Sequence, residues 1–209
     1  GLEAVIYAGL ASKEADAAAK AALMQKANEK LAVVKAAKDD TLDWDAEFAK
    51  ASSGAAELQA KADAGPSNDN IVALKKQVAA NKEDTTALFN LAMAYQEVGN
   101  WDGAALAWQK MNDLLPTWEP AYYSKGYALQ QAGYKELAAV AFQKYIDVAL
   151  TKTPAEQQAL QETLFGAYYS VAYLLHTTDK VKANEALQKA LAMKPNDHNS
   201  LLLQKELMK

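Results

Sequence analysis

An internal repeat of 34 residues constrains the fold of this chain more than any other feature of its sequence. Residues Thr85–Trp118 align without a gap to residues Glu119–Lys152. Small and aromatic residues coincide in this alignment: Ala94 with Ala128, Gly99 with Gly133, Ala104 with Ala138, Ala107 with Ala141, and Trp108 with Phe142. A fixed period of this length indicates supersecondary units that bury their apolar faces by stacking on one another.

Each unit is predicted to contain two helices. Apolar residues at helical spacing mark the first helix of the first unit: Leu88, Leu91, Ala92 and Tyr95. Gly99 is placed to end this helix in a left-handed conformation. The second helix is predicted from Trp101 to about Leu115, because Pro116 cannot continue it. Alanine is the strongest helix former, and only five prolines and nine glycines occur in 209 residues, so the chain is predicted to be all-helical.

Small and large side chains are combined on the second helix of each unit. Ala104 lies one turn before Trp108, and Ala138 lies one turn before Phe142. The alanines allow two helix backbones to approach closely, while the rings fill the space further along. This pattern resembles the tetratricopeptide repeat, a 34-residue helix-turn-helix unit with small residues at positions 8, 20 and 27, a large one at 24 and a proline at 32.

Three units follow this pattern, over residues 85–118, 119–152 and 164–197. The matching residues are Ala92, Ala104, Trp108 and Pro116 in the first unit, Gly126, Ala138 and Phe142 in the second, and Ala183, Leu187, Ala190 and Pro195 in the third. The resemblance implies an all-α fold, with a helix-turn-helix repeat array coiled as a right-handed α-solenoid over residues 66–209. Residues 198–209 are expected to form a capping helix with a polar outer face, since terminal repeats need one.

Two regions depart from the regular period. Eleven extra residues separate the second and third units, and they offer Thr153 as an N-cap with Pro154 at the first helical position. They are predicted to extend the first helix of the third unit backwards by about three turns. Upstream, Asp69–Asp84 is predicted as one more helix. Residues 1–65 are predicted to form an alanine-rich helical hairpin, which buries little area and is marginal by itself.

The composition argues against several classes of function. All 22 basic residues are lysine and the net charge is -4, whereas a nucleic-acid-binding protein normally has a basic face and uses arginine. Cysteine is absent, and His176 and His198 lack metal-ligand spacing or a neighbouring nucleophile. We therefore expect that the protein is not an enzyme and that it binds no cofactor, metal or nucleic acid.

The sequence says less about the membrane and the cellular compartment. No run of 18 apolar residues occurs, so no segment of the chain is expected to insert into a membrane. The chain begins at Gly1, which leaves a preceding signal peptide or anchor open. Localisation is not determined, with the bacterial periplasm or another extracytoplasmic site slightly favoured over the cytoplasm.

A second stripe on the first helix of each unit is the candidate binding surface. Positions 4, 8 and 11 form the buried stripe, so positions 2, 5, 9 and 12 face elsewhere. In the tetratricopeptide repeat family, which this chain resembles, the second stripe lines the concave groove. The candidate groove residues are Phe89, Met93, Gln96, Tyr123, Tyr127, Gln130, Tyr168 and Leu175. This aromatic, uncharged stripe either receives a partner or is covered by the chain's own N-terminal hairpin or extended helix.

The groove chemistry favours a peptide or helix of another protein as the ligand. Relatives that hold a terminal carboxylate place lysine and asparagine at groove positions 5 and 9, whereas this chain has Phe89 and Met93 there. The predicted function is a non-enzymatic scaffold for protein–protein interaction. The alternative is a structural subunit of a larger assembly, in which residues 12–64 mediate self-association or anchoring.

Overall fold

The computed structural model describes residues 58–208, and these residues form helices joined by short turns without any strand. The chain divides into two units, residues 1–64 and residues 65–209. In the first unit, the described residues 58–64 are helical. The predicted N-terminal hairpin lies otherwise outside the described residues and stays a prediction.

Nine helices build the described part of the second unit. They are α1 (Asp69–Ala80), α2 (Thr85–Glu97), α3 (Trp101–Leu114), α4 (Glu119–Gln131), α5 (Lys135–Ala149), α6 (Pro154–Ala159), α7 (Gln161–Leu175), α8 (Lys180–Met193) and α9 (His198–Leu207). The three repeats correspond to α2–α3, α4–α5 and α7–α8. The helix predicted over Asp69–Asp84 ends four residues earlier, and its apolar stripe of Ile71, Leu74 and Val78 is buried as expected.

Local sequence signals fix where most of these helices begin and end. The side chains of Asp84 and Asn100 cap α2 and α3 by accepting hydrogen bonds from the backbone N–H of Ala87 and Gly103, each at 2.9 Å. After α2 and α4, Gly99 and Gly133 adopt φ values of +74° and +88°. Glycine enters this left-handed region without a steric penalty, which confirms the predicted helix stop at Gly99.

Each helix packs mainly on its neighbours in the chain. Helix α6 is too short to join this stack, so α7 packs against α5. Ala104 and Ala138 are fully buried, and Trp108 and Phe142 fill the core beside them. A Cβ atom added at Gly126 would lie 2.9 Å from the Phe142 ring. Helices α4 and α5 can therefore approach this closely only because residue 126 is a glycine. These contacts bear out the predicted pairing of small and large residues.

The predicted backward extension of α7 is wrong. Thr153 does cap a helix at Pro154, and Thr153 and Glu156 bond each other reciprocally as a capping box. That helix, α6, nevertheless ends at Ala159. Leu160 interrupts the helical conformation, and α7 begins at Gln161. The Gln157 side chain donates to the carbonyls of Leu150 and Lys152 at 3.0 and 2.8 Å, which holds α6 against the end of α5.

The buried position of Ala138 makes a first prediction about stability. Replacing Ala138 by leucine should lower the free energy of unfolding by about 1 to 3 kcal/mol, because a closely packed helix crossing has no room for three more carbons. Thermal and urea unfolding followed by circular dichroism measure the effect. The control is Val140→Leu on the same helix, where the side chain is exposed. Equal stability of the Ala138→Leu variant and the parent chain would place the close crossing elsewhere.

Candidate functional site

Three candidate groove side chains are exposed on the first helices of the first two repeats. Phe89 and Met93 on α2 are 39% and 40% exposed, and Tyr127 on α4 is 44% exposed. Gln96 and Gln130, further along the same helices, are half-buried. We call Phe89, Met93 and Tyr127 the aromatic surface. Large apolar side chains in water on neighbouring repeats are a typical feature of interaction sites.

Tryptophan rings support the aromatic surface from below. The Phe89 ring meets the buried Trp108 edge to face, with 5.5 Å between centroids, and lies 6.4 Å from the ring of Trp118. The Tyr127 ring meets Trp101 edge to face at 5.8 Å. These arrangements are the favoured ones for aromatic pairs. They hold the two exposed rings in place, so a ligand would not need to order them.

Tyr123, also a candidate, lies between helices. Its ring contacts Phe142 and Tyr145 on α5, at centroid distances of 5.3 and 5.2 Å. A Cβ atom added at Gly166 on α7 would lie 3.3 Å from its hydroxyl oxygen. Burial, and to a smaller extent the neighbouring Tyr127, raises the pKa of Tyr123. The ring therefore contributes to the packing of repeats two and three more than to an open surface.

The first helix of the third repeat buries positions 4, 8 and 11 as predicted, at Ala167, Val171 and Leu174, but differs from the first two repeats at the flanking positions. On α2 and α4 the residues at repeat position 9 are exposed, whereas the corresponding Ala172 on α7 is fully buried. At repeat position 10 the pattern is reversed, because Ala94 and Ala128 are buried and Tyr173 is exposed. The eight candidate groove residues therefore do not form one continuous stripe.

Tyr168 and Leu175, the candidates from the third repeat, line a separate cleft. This cleft has a volume of about 840 Å³, with α5 and α8 as its walls and α7 as its floor. Its lining includes Val140, Leu150 and Val171. Burial, and then the nearby Asp147, raises the pKa of Tyr168. We call this space the α5–α8 cleft.

The exposed side of α7 carries an aromatic cluster that the sequence analysis missed. Tyr169, Tyr173 and His176 stack along the helix, with successive ring centroids 6.2 and 5.6 Å apart. Their spacing of four and three residues was the available signal, since such residues share a helix face. His176 Nδ1 lies 2.6 Å from the Tyr173 carbonyl oxygen, at the end of α7.

Across residues 58–208, no three or more acidic, histidine or cysteine side chains come together as a metal site. His198 begins α9, whereas His176 is the C-cap residue of α7. None of the helices in this region has the length and apolar character needed to cross a membrane.

Comparison with solved structures supports the architecture. The chain is similar to the C-terminal part of a TPR repeat-containing protein from Cytophaga hutchinsonii, with 20% identity over 88% of this chain and 68% of that one, and a TM-score of 0.53. The fold is of the TPR type. MamA also matches, with 22% identity over 66% of this chain and 84% of its own, and a TM-score of 0.48. No family model and no curated protein matches the chain.

Proposed function

We propose that this protein is a non-enzymatic interaction scaffold that binds a peptide or helix of another protein through the aromatic surface. The observation that carries the proposal is the exposure of Phe89, Met93 and Tyr127 on adjacent repeats. The Phe89 ring packs on the buried Trp108, and the Tyr127 ring packs on the half-buried Trp101. Helical repeat arrays of this type offer extended surfaces for such partners.

The chemistry of the aromatic surface suits a partly apolar protein segment. Interface centres are enriched in aromatic residues and methionine and depleted of charge. Tyr127 combines a large ring with few rotatable bonds and a polar tip, which lowers the entropy lost on binding. The half-buried Gln96 and Gln130 lie one turn further along α2 and α4 and offer amide groups to a partner's backbone.

Replacing Tyr127 by alanine should separate binding from folding. If a partner docks on the aromatic surface, its affinity should fall by about 30-fold, corresponding to about 2 kcal/mol for a hot-spot tyrosine. The melting temperature should change little because the ring is largely exposed. Capture from native extract identifies the partner, and titration with the purified partner measures the affinity of each variant.

Tyr173→Ala is the matched control for this experiment. Tyr173 is an equally exposed tyrosine, 49% accessible, on α7 outside the aromatic surface. Its replacement should leave the affinity unchanged. A Tyr127→Ala chain that loses several kcal/mol of stability and still captures the partner at full affinity would refute the proposed site.

The second candidate function is a structural subunit of a larger assembly. Self-association or anchoring through residues 12–64 remains a proposal, since only residues 58–64 of that stretch are among those described.

A further inference from the structure

One side of α3 faces the second repeat. Asp102 accepts a hydrogen bond from the Tyr134 hydroxyl at 2.9 Å, and Gln109 accepts one from the Lys125 ammonium group. Asn112 follows Gln109 by three residues, so the two side chains lie on the same side of the helix. Asn112 is only 4% exposed. It therefore lies in the buried layer where the first and second repeats meet.

Three polar atoms in this layer are buried without a hydrogen-bond partner. Within the described part of the chain, they are Nδ2 and Oδ1 of Asn112 and Nε1 of Trp108, one turn earlier on α3. Trp108 borders the second repeat, because its ring lies 6.5 Å from that of Trp118, the N-cap residue of α4. A further buried oxygen, on Glu119, has the Lys152 ammonium group at 2.9 Å as an ionic partner. Unpaired polar atoms are thus concentrated between the first two repeats.

The equivalent layer between the second and third repeats has a different chemistry. At the position of Asn112 the second repeat has Ile146, which is 1% exposed. Phe142, which has no polar side-chain atom, stands at the position of the tryptophan. The Tyr145 hydroxyl donates a hydrogen bond to Thr163 on α7 at 2.6 Å. The side chains at this second interface are therefore apolar or paired.

Unpaired buried groups weaken the first interface relative to the second. A buried donor or acceptor without a partner shifts an equilibrium by about 5- to 150-fold toward a state in which water can bond to it. In a repeat array, the free energy is approximately a sum of terms for each repeat and for each interface between neighbours. The interface that contains Asn112 is therefore the one that opens first.

We propose that the interface between the first and second repeats is a joint, which opens in solution when water bonds to Asn112 and to the Trp108 N–H group. Its consequence for binding rests on the proposed function. The aromatic surface spans this joint, with Phe89 and Met93 on α2 and Tyr127 on α4. A partner that contacts both helices stabilises the closed state, because only this state holds the three side chains together. Asn112 is thus a positioning residue for the aromatic surface.

Distances between spin labels test the joint without any partner. The chain has no cysteine, so labels can be attached at chosen positions. Lys110, Lys144 and Lys189 occupy the same position of the three repeats, and all are exposed. Labels on Lys110→Cys and Lys144→Cys span the joint, while labels on Lys144→Cys and Lys189→Cys span the second interface as the matched control. The first pair should show an additional population at longer distance that the control pair lacks.

Asn112→Ile gives the first interface the residue of the second. The longer-distance population of the first pair should fall by about tenfold or more, because the unpaired amide is removed. The control pair should be unchanged in this variant, which separates an effect at the joint from a general gain of stability. A first pair with one narrow distribution, like that of the control pair, overturns the proposal. A longer-distance population that persists in Asn112→Ile overturns it as well.

The consequence for binding is measured with the partner identified by the Tyr127→Ala experiment. Addition of this partner to the parent chain should remove the longer-distance population. The Asn112→Ile chain should bind the partner at least as tightly as the parent chain, because more of it is already closed. Weaker binding by Asn112→Ile would refute the link between the joint and the aromatic surface. A Tyr127→Ala chain with full affinity would instead refute the proposed site, and the label distances would still decide whether the joint opens.

Discussion

Replacing Trp108 by alanine should lower the free energy of unfolding by about 3 to 5 kcal/mol, the range for removal of a large buried aromatic side chain. Only 2% of the Trp108 surface is exposed. Its ring lies against Phe89 and Trp118, so its removal leaves a cavity under the aromatic surface as well as in the core of the first repeat. Urea unfolding followed by circular dichroism measures the loss from the shift of the midpoint.

Trp108→Phe is the matched control for this prediction. Among the described residues, the Trp108 Nε1 group is buried without a hydrogen-bond partner. Phenylalanine keeps much of the ring volume and removes this unpaired donor, so the loss should be clearly smaller than for alanine. A Trp108→Ala loss below about 1 kcal/mol, typical of a surface change, would contradict the packing of the first repeat.

Tyr123→Ala should be the next most damaging change, with a loss of about 2 to 3 kcal/mol, since the half-buried ring loses less than a fully buried one. The ring fills the space between α4, α5 and Gly166 of α7. Tyr127→Ala removes the same side chain one turn away on α4. Because Tyr127 is largely exposed, that variant should lose less than about 1 kcal/mol.

Thermal and urea unfolding of these two variants tests whether Tyr123 belongs to the packed interior and Tyr127 to the exposed surface. Equal losses for Tyr123→Ala and Tyr127→Ala would mean that both rings have the same environment. A larger loss at Tyr127 would mean that the chain itself covers the aromatic surface.

The fold was largely predictable because its signals are local. Gly99 ends its helix because glycine adopts a positive φ without a steric penalty. On the next helix, the buried Ala104 indicates a close helix crossing, and the buried Trp108 fills the space beside it. The N-cap at Thr153 and the prolines at helix boundaries start or end a helix through contacts within one helical turn. Each of these features depends on a few neighbouring residues, so the sequence pattern alone indicated helix ends and the buried stripes of the repeats, including Ala167, Val171 and Leu174 in the third.

The exposure of the positions beside the buried stripe of α7 could not be predicted in the same way. Whether Ala172 or Tyr173 faces the core depends on how α7 packs against α5 and α8, and these contacts are distant in sequence. The backward extension of α7 failed for a similar reason. Gln157 ties α6 to the end of α5, and a helical pattern does not reveal such a contact.

The residue types of the candidate site could be predicted, but not which of these residues are buried and which are exposed. Tyr123 and Tyr127 occupy equivalent sides of one helix, yet Tyr123 is half-buried and Tyr127 is exposed. The difference arises because Gly166 of the next repeat leaves room for the Tyr123 hydroxyl. The outer face of α9 likewise depends on Asp197, which turns Ser200 inward and leaves Leu201 and Leu202 in water.

Site-specific photo-crosslinking in native extract tests the central claim most directly. A photoreactive phenylalanine analogue replaces Tyr127 in one chain, Met93 in a second, and Tyr173 on the exposed side of α7 in a third. The account predicts that the same protein partner is crosslinked from positions 127 and 93 and not from position 173. Crosslinking of that partner from position 173 alone, or equally from all three positions, would contradict binding at the aromatic surface.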